Sequence, residues 1–249
     1  MSRSIVRRLV VATAAALVLG ACGGNGGEAE SGPETSPAPV RTMTQDELVA
    51  VLPTLEDVDE GSTIDETCPV DGEQKCAPRT VGDVEALAAT RTLTLPARGK
   101  PEDVERQAAG SGITDLLFAG AEQWPDAGTA RERFESLSED DAELEGDFDI
   151  PIEDLEDGRY SPGRTGNGSV EEVEVGGRPA QVLDYEATFT FRDGEPEERL
   201  EVQVAVLVDQ VFVFVTMATS ALGRERAELR AEARDLATDI VERLPTTEE

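Results

Sequence analysis

A run of carboxylates, Glu139, Asp140, Asp141, Asp147, Asp149, Glu153, Asp154, Glu156 and Asp157, is the densest set of chemistry-bearing side chains in the chain. Calcium takes six to eight oxygens, but the run lacks the D-x-[DN]-x-[DN]-G loop that arranges them. A pair of these acids would suit glycoside hydrolysis. That chemistry also needs a shaped cleft, and the aromatic platforms on offer, Trp124, Tyr160 and Tyr185, are scattered. The run is therefore read as a solvated face. The chain has no histidine, so Ser/His/Asp and Cys/His nucleophile systems have no base, and zinc would depend on cysteine and carboxylate alone. Gly163, Gly166 and Gly168 lack the strand-to-helix setting of a dinucleotide loop and read as an ordinary loop. Trp124 before Pro125 reads as a core anchor. No catalytic, metal-ligating or cofactor-binding residue is expected.

Three cysteines remain, and the first is set apart by its surroundings. Arg3, Arg7 and Arg8 precede a short apolar run from Leu9 to Leu19, and Leu19, Gly20, Ala21 and Cys22 close it. This is the layout of a secretory signal. The apolar run is too short for a transmembrane helix, which needs about 20 residues. It resembles the lipobox of bacterial lipoproteins, which implies a diacylglyceryl group on Cys22, palmitate-type acyl chains, and removal of residues 1–21. Two acyl chains would anchor the protein stably, where one would hold only reversibly. Residues 22–43, rich in Gly, Glu, Ser, Thr and Pro, form the expected linker, with an end-to-end distance of about 25 Å and an extended limit near 70 Å. Cys68 and Cys76, in an oxidising compartment, are expected to form a disulfide. Asp71-Gly72 supplies a turn between them, and the loop would contribute on the order of 2.5 kcal/mol.

The charge balance, 53 acidic against 22 basic residues for a net −31, becomes more negative once the signal arginines are gone. Affinity for nucleic acid comes from Lys and Arg, so nucleic acid is excluded as a partner. Anionic headgroups repel such a domain within a Debye length, 8 to 10 Å at ordinary salt. Lysine is confined to Lys75 and Lys100 while arginine is plentiful, a balance that resembles actinobacterial and salt-adapted proteins.

Residues 44–249 read as a single extracytoplasmic α+β domain. Thr44 with Glu47 forms a capping box for a short helix through Leu48, Val51 and Leu52, stopped by Pro53. The stretch to about Thr90 is weakly patterned and is expected to lie over the surface. Arg91 to Pro96 reads as a strand, Pro101 to Ala109 as the start of a helix, and Ile113 to Ala121 as an apolar strand. Pro125 in a first turn, then Ala127, Ala130, Phe134 and Leu137, mark a helix. Gly158 to Gly168 reads as a loop.

The last third predicts an antiparallel meander. Its apolar alternations are Leu183, Tyr185, Ala187, Phe189 and Phe191, then Leu200, Val202, Val204, Val206 and Val208, then Val211 to Met217. The opposite face, Asp184, Glu186, Thr188, Thr190, Glu201 and Gln203, is expected to be wet. A long C-terminal helix from about Ala221 to Leu244, with Leu222, Leu229, Ala233, Leu236, Ile240 and Leu244 as its stripe, should pack on the sheet.

The strand Leu116 to Ala121, Trp124-Pro125-Asp126, the helix with Ala130 and Phe134, the meander and a closing helix through Ala237, Ile240 and Val241 resemble the extracellular sensor-domain family of the actinobacterial PknH-type kinases. Members usually carry two disulfides, whereas here Cys68 and Cys76 are the only pair. The resemblance implies an α+β domain with a groove and a ligand role.

Together these readings predict a non-catalytic lipoprotein on the cell membrane, facing away from the cytoplasm. It would bind a small ligand, a cell-wall component or an envelope protein. One alternative is a lipid carrier with a cavity lined by Leu183, Phe189, Phe191, Val204 and Phe212; another is a carboxylate-based cell-wall hydrolase.

Overall fold

A computed structural model of the chain describes residues 39–68, 79–96, 115–154, 160–192, 194–220 and 224–247. Twelve strands occur among these: Thr63–Cys68 (β1), Thr80–Val81 (β2), Val84–Glu85 (β3), Leu87–Leu95 (β4), Asp115–Gln123 (β5), Gly146–Ile150 (β6), Glu153–Asp154 (β7), Tyr160–Ser161 (β8), Gly163–Val175 (β9), Arg178–Thr190 (β10), Glu197–Val208 (β11) and Val211–Ser220 (β12). The helices are Gln45–Ala50 (α1), Ala127–Ala142 (α2) and Arg226–Arg243 (α3). Eight strands form one antiparallel sheet in the order β1-β4-β5-β12-β11-β10-β9-β6, and β2-β3 and β7-β8 are separate small ladders. This is the α+β architecture of a meander with a closing helix. Among the described residues, no helix is long and apolar enough to cross a membrane.

Local signals account for most of the elements. The Thr44–Glu47 capping box forms as the spacing predicts, each side chain satisfying the other's backbone N–H. Arg91 of β4 then donates to the carbonyls of Leu52 (3.2 Å) and Pro53 (2.7 Å), just past α1, where main-chain acceptors would otherwise be left over. Gly176 and Gly177 take φ of 57° and 70° between β9 and β10, the left-handed pair that a tight hairpin turn requires. Pro245 ends α3 by forcing Leu244 into an extended conformation.

Both faces of the sheet are covered, and this revises several expectations. In the β10–β11 register Val182 sits opposite Val204, and Leu183 opposite Gln203. Leu200, Val202, Val204 and Val206 therefore share a face with Val182 and pack beneath α1 and α3. Leu183, Tyr185, Ala187 and Phe189 project to the other side. Since successive strand residues point to opposite faces, a slip of one position reassigns the whole set. The carrier cavity expected from Leu183, Phe189, Phe191, Val204 and Phe212 does not exist as one chamber, because Val204 lies on the α3 face and the other four lie on the α2 face. The expected wet face is likewise divided. Asp184, Glu186 and Thr188 lie on the α3 side, and Glu201 and Gln203 on the α2 side.

Four elements also differ from expectation. The weakly patterned stretch contains β1, a solvent-facing edge strand rich in charge. The Gly158 to Gly168 loop is in large part strand, since β9 begins at Gly163. Its glycines mark close approach: a Cβ on Gly166 would lie 2.2 Å from the Glu186 carbonyl oxygen, and one on Gly168 would lie 2.3 Å from that of Leu144. Pro125 precedes α2 instead of occupying its first turn, and Asp126 is the N-cap. Helix α3 starts at Arg226, later than expected, because Arg224 turns inward to an ionic cluster.

The helical start expected at Pro101 to Ala109 lies outside the described residues, as does Leu222. The folded unit takes in more chain than Thr44 onward. Val40 and Met43 are buried, and Val40 bridges to Thr246.

Candidate functional site

Where α3 begins, the face that it covers turns from aliphatic to polar. Helix α3 runs antiparallel to the direction that would reach the far end of β10, and beyond Arg226 the sheet lies open. The floor of this opening is a cross-strand array: Asp147 and Asp149 of β6, Thr165 and Asn167 of β9, Glu186 and Thr188 of β10, and Glu198 of β11. With Arg226 at one end they line a groove of about 690 Å³, within the ordinary size range of small-ligand sites. Thr165 donates to Asp149 at 3.0 Å and Asn167 to Asp147 at 2.9 Å, which fixes both carboxylates relative to the strands.

The wall formed by Arg226 is set by a buried carboxylate. Asp184 is only 1 % exposed, and a buried charge is tolerated only when paired. Arg226 and Arg230, one helical turn apart, reach it at 3.1 and 3.3 Å. Arg226 also approaches Glu186 at 3.8 Å, and Arg230 pairs with Glu171. A second hub stands at the same helix end, where buried Arg224 meets Glu232 at 2.8 Å, Asp115 at 3.4 Å and Asp59 at 3.6 Å. Helix α3 has no side-chain N-cap; these arginines pin its start instead.

The groove lies at the pole opposite to where the described chain begins. Val40 N–H donates to the Asp209 carboxylate in the β11–β12 turn at 2.8 Å, beside the end of α3. Pro179 and Thr188 bracket the distance along β10, about 30 Å at the usual strand rise.

On the other face, α2 lies across β5, β12 and β11, with Phe134 and Leu137 against Phe212, Phe214 and Trp124. Trp124 is thus a core residue. Beside it Glu122, fully buried on β5, is approached by Arg133 at 3.3 Å and Arg79 at 3.5 Å; burial pushes its carboxyl above the usual range despite both cations. The C-terminal half of α2 meets the sheet through polar groups. Ser138 donates to Gln181 at 2.7 Å, and Gln203 donates to Asp141 at 3.1 Å. Between α2 and the β9–β10 hairpin lies a cleft of about 480 Å³, bordered by Phe134, Ser138, Glu172, Glu174, Pro179 and Gln181.

The carboxylate run is thus dispersed. Asp147 and Asp149 enter the groove, Glu139, Asp140, Glu153 and Asp154 face solvent, Asp141 is buried, and Glu156 and Asp157 lie outside the described residues. Among the described residues, no three Cys, Asp or Glu side chains converge to hold a metal ion. Tyr160 stacks beneath Arg192, and Tyr185 packs edge-on to Phe148 and donates to Glu201, so Trp124, Tyr160 and Tyr185 form no common platform. Cys68 is buried at the end of β1, while Cys22 and Cys76 lie outside the described residues.

Sequence reasoning missed Thr165, Asn167, Glu198 and Arg226 as groove residues, and Asp184 as their support. A signal for the last was present: an acid flanked by Leu183 and Tyr185 in a largely apolar strand, and two arginines four apart on the helix that must cover it.

No protein-family model and no curated protein matches the chain. Among solved structures, the chain is similar to the extracellular domain of PknH from Mycobacterium tuberculosis, with a TM-score of 0.46 and 10 % identity over 79 % of this chain and 97 % of that one.

Proposed function

We propose that this protein is an extracytoplasmic lipoprotein that binds a ligand without transforming it, anchored through Cys22 after removal of residues 1–21, with a Cys68–Cys76 disulfide. The observation that carries the reading is the groove floored by Asp147, Asp149, Thr165, Asn167, Glu186, Thr188 and Glu198, built on four paired strands at the pole away from Val40. A floor on strands is held more firmly than one on loops. A tether arriving at Val40 leaves such a groove facing outward. Four carboxylates against one guanidinium favour amine-bearing or hydroxylated ligands over anions, in keeping with a small solute or a cell-wall component.

The test is native mass spectrometry of the full protein purified from its own host's membranes. The expected species begins at Cys22, carries two or three acyl chains, and holds an additional non-covalent mass that is lost in Glu186→Gln/Glu198→Gln. An unlipidated chain overturns the anchor. A lipidated chain whose bound mass persists in the double variant overturns the groove.

A further inference from the structure

We propose that Asp141 is a proton-operated latch that sets how tightly the C-terminal half of α2 closes on the sheet, and with it the width of the cleft beside the β9–β10 hairpin. The geometry that points to it is the kind of contact α2 makes. Its buried positions are Ala130 and Asp141, while Phe134 and Leu137 are only half-buried. The last turn and a half therefore rests on two side-chain hydrogen bonds, Ser138 to Gln181 and Gln203 to Asp141. Ser138, Gln181 and Phe134 also border the cleft, so any loosening of this end changes the cleft directly.

A carboxylate is the wrong charge for that position. It is 6 % exposed, it stands in the final turn of a helix, where the backbone carbonyls already carry partial negative charge, and its hydrogen-bond partner is a neutral amide. On its own helix Asp140 opposes its ionisation and Arg133 favours it. From β11 it meets Gln203. The other titratable groups on this face are Glu122 of β5 with Arg79, Glu172 and Glu174 of β9, the Tyr185–Glu201 pair with Arg164 beside it, and the Glu197–Arg199 pair of β11. Of the cations on this face, Arg133 is the one that acts on Asp141 itself. Burial, then Asp140, holds the Asp141 carboxyl at about 6, two units above an ordinary aspartate. If the released helix restores ordinary behaviour, protonation favours the closed latch by at most about 100-fold. Closure is then favoured as pH falls through about 6 and weakened above it. The neutral acid keeps an oxygen for Gln203 and loses the repulsion.

The experiment is amide hydrogen exchange on the full chain at pH 7.5 and 5.0, corrected for intrinsic rates, comparing wild type with Asp141→Asn and using α3 as the internal reference. The expected result is at least tenfold greater protection of residues 134–144 at pH 5.0 in wild type, no such change in α3, and acid-like protection at both pH values in the variant. Equal protection at both pH values in wild type overturns the latch, and so does a variant that retains the pH dependence. A second measurement needs no variant: the ¹³C resonance of the Asp141 carboxyl should titrate with a midpoint near 6, and a midpoint near 4 overturns the proposal.

Discussion

The two faces of the sheet are buried by different chemistry. Beneath α1 and α3 the apolar core is entirely aliphatic, with Val202, Val204, Val213, Val215 and Met217 meeting Leu229, Leu236 and Ile240, and the acids buried at its edge, Asp115 and Asp184, are paired with arginines. All seven phenylalanines, together with Trp124 and Tyr185, lie on the α2 side. The same side buries Glu122, Asp141 and Gln181. Branched aliphatics interdigitate closely along most of α3, and arginine–carboxylate pairs fix its start, so the helix is held in one place. Aromatic rings fill space with fewer residues and leave gaps at their edges, into which amides and carboxylates fit. The aliphatic face is thus the anchor of the fold, and the aromatic face carries the latch proposed at Asp141.

That contrast can be broken from either side. Ile240→Ala, in the aliphatic core beneath α3, should cost the most, about 2 to 5 kcal/mol, read as a lower urea midpoint with an unchanged slope. A loss below 1 kcal/mol would show that α3 is not the anchor. Asp141→Asn should act in the opposite direction, stabilising the domain by up to about 3 kcal/mol at pH 7.5. Its folded-state value near 6 lies above the ordinary 3.8, so the wild-type penalty is complete above pH 6 and fades as pH falls toward 4. The variant's advantage should therefore shrink over the same interval, and thermal melts across pH 4 to 8 would show it.

Phe134→Ala, half-buried on α2, should cost about 1 to 2 kcal/mol and lower protection in α2 more than in α3. The smallest effect belongs to Asp57→Asn, about 1 kcal/mol at neutral pH. The Arg243 guanidinium, donating to Asp57 at 2.9 Å, holds that carboxyl near 2. Its contribution is present above pH 4 and lost as pH falls toward 2, so the variant should flatten that part of the acid-denaturation curve.

Much of the fold was legible because strands β10 to β12 alternate cleanly and the α3 stripe repeats at helical spacing. The register was not. With both faces buried, residues 181–185 of β10 are apolar or occluded at every position, and alternation no longer says which set faces which helix. Strand β9 was hidden by Gly163, Gly166 and Gly168, whose composition signals a turn although close backbone approach is what demands it. The groove was illegible for a related reason. Its floor is assembled across four strands, each contributing one or two unremarkable polar residues that only the strand register brings together. Asp147 and Asp149 were noticed only as members of a charge run, and the cross-strand partners that orient them, Asn167 and Thr165, sit in the stretch that read as a loop.

The clasp at Val40 has a mechanical meaning. Tension applied through residue 39 is carried first by four hydrogen bonds: Val40 N–H to Asp209, Gln210 Nε2–H to the Val40 carbonyl, Arg41 N–H to the Pro245 carbonyl and Thr247 N–H to the Pro39 carbonyl. The load path then runs into the C-terminal end of α3, where Arg243 grips Asp57, and along the helix axis instead of across the sheet. A tug on the leash would strain the fastening while the opposite pole keeps its shape.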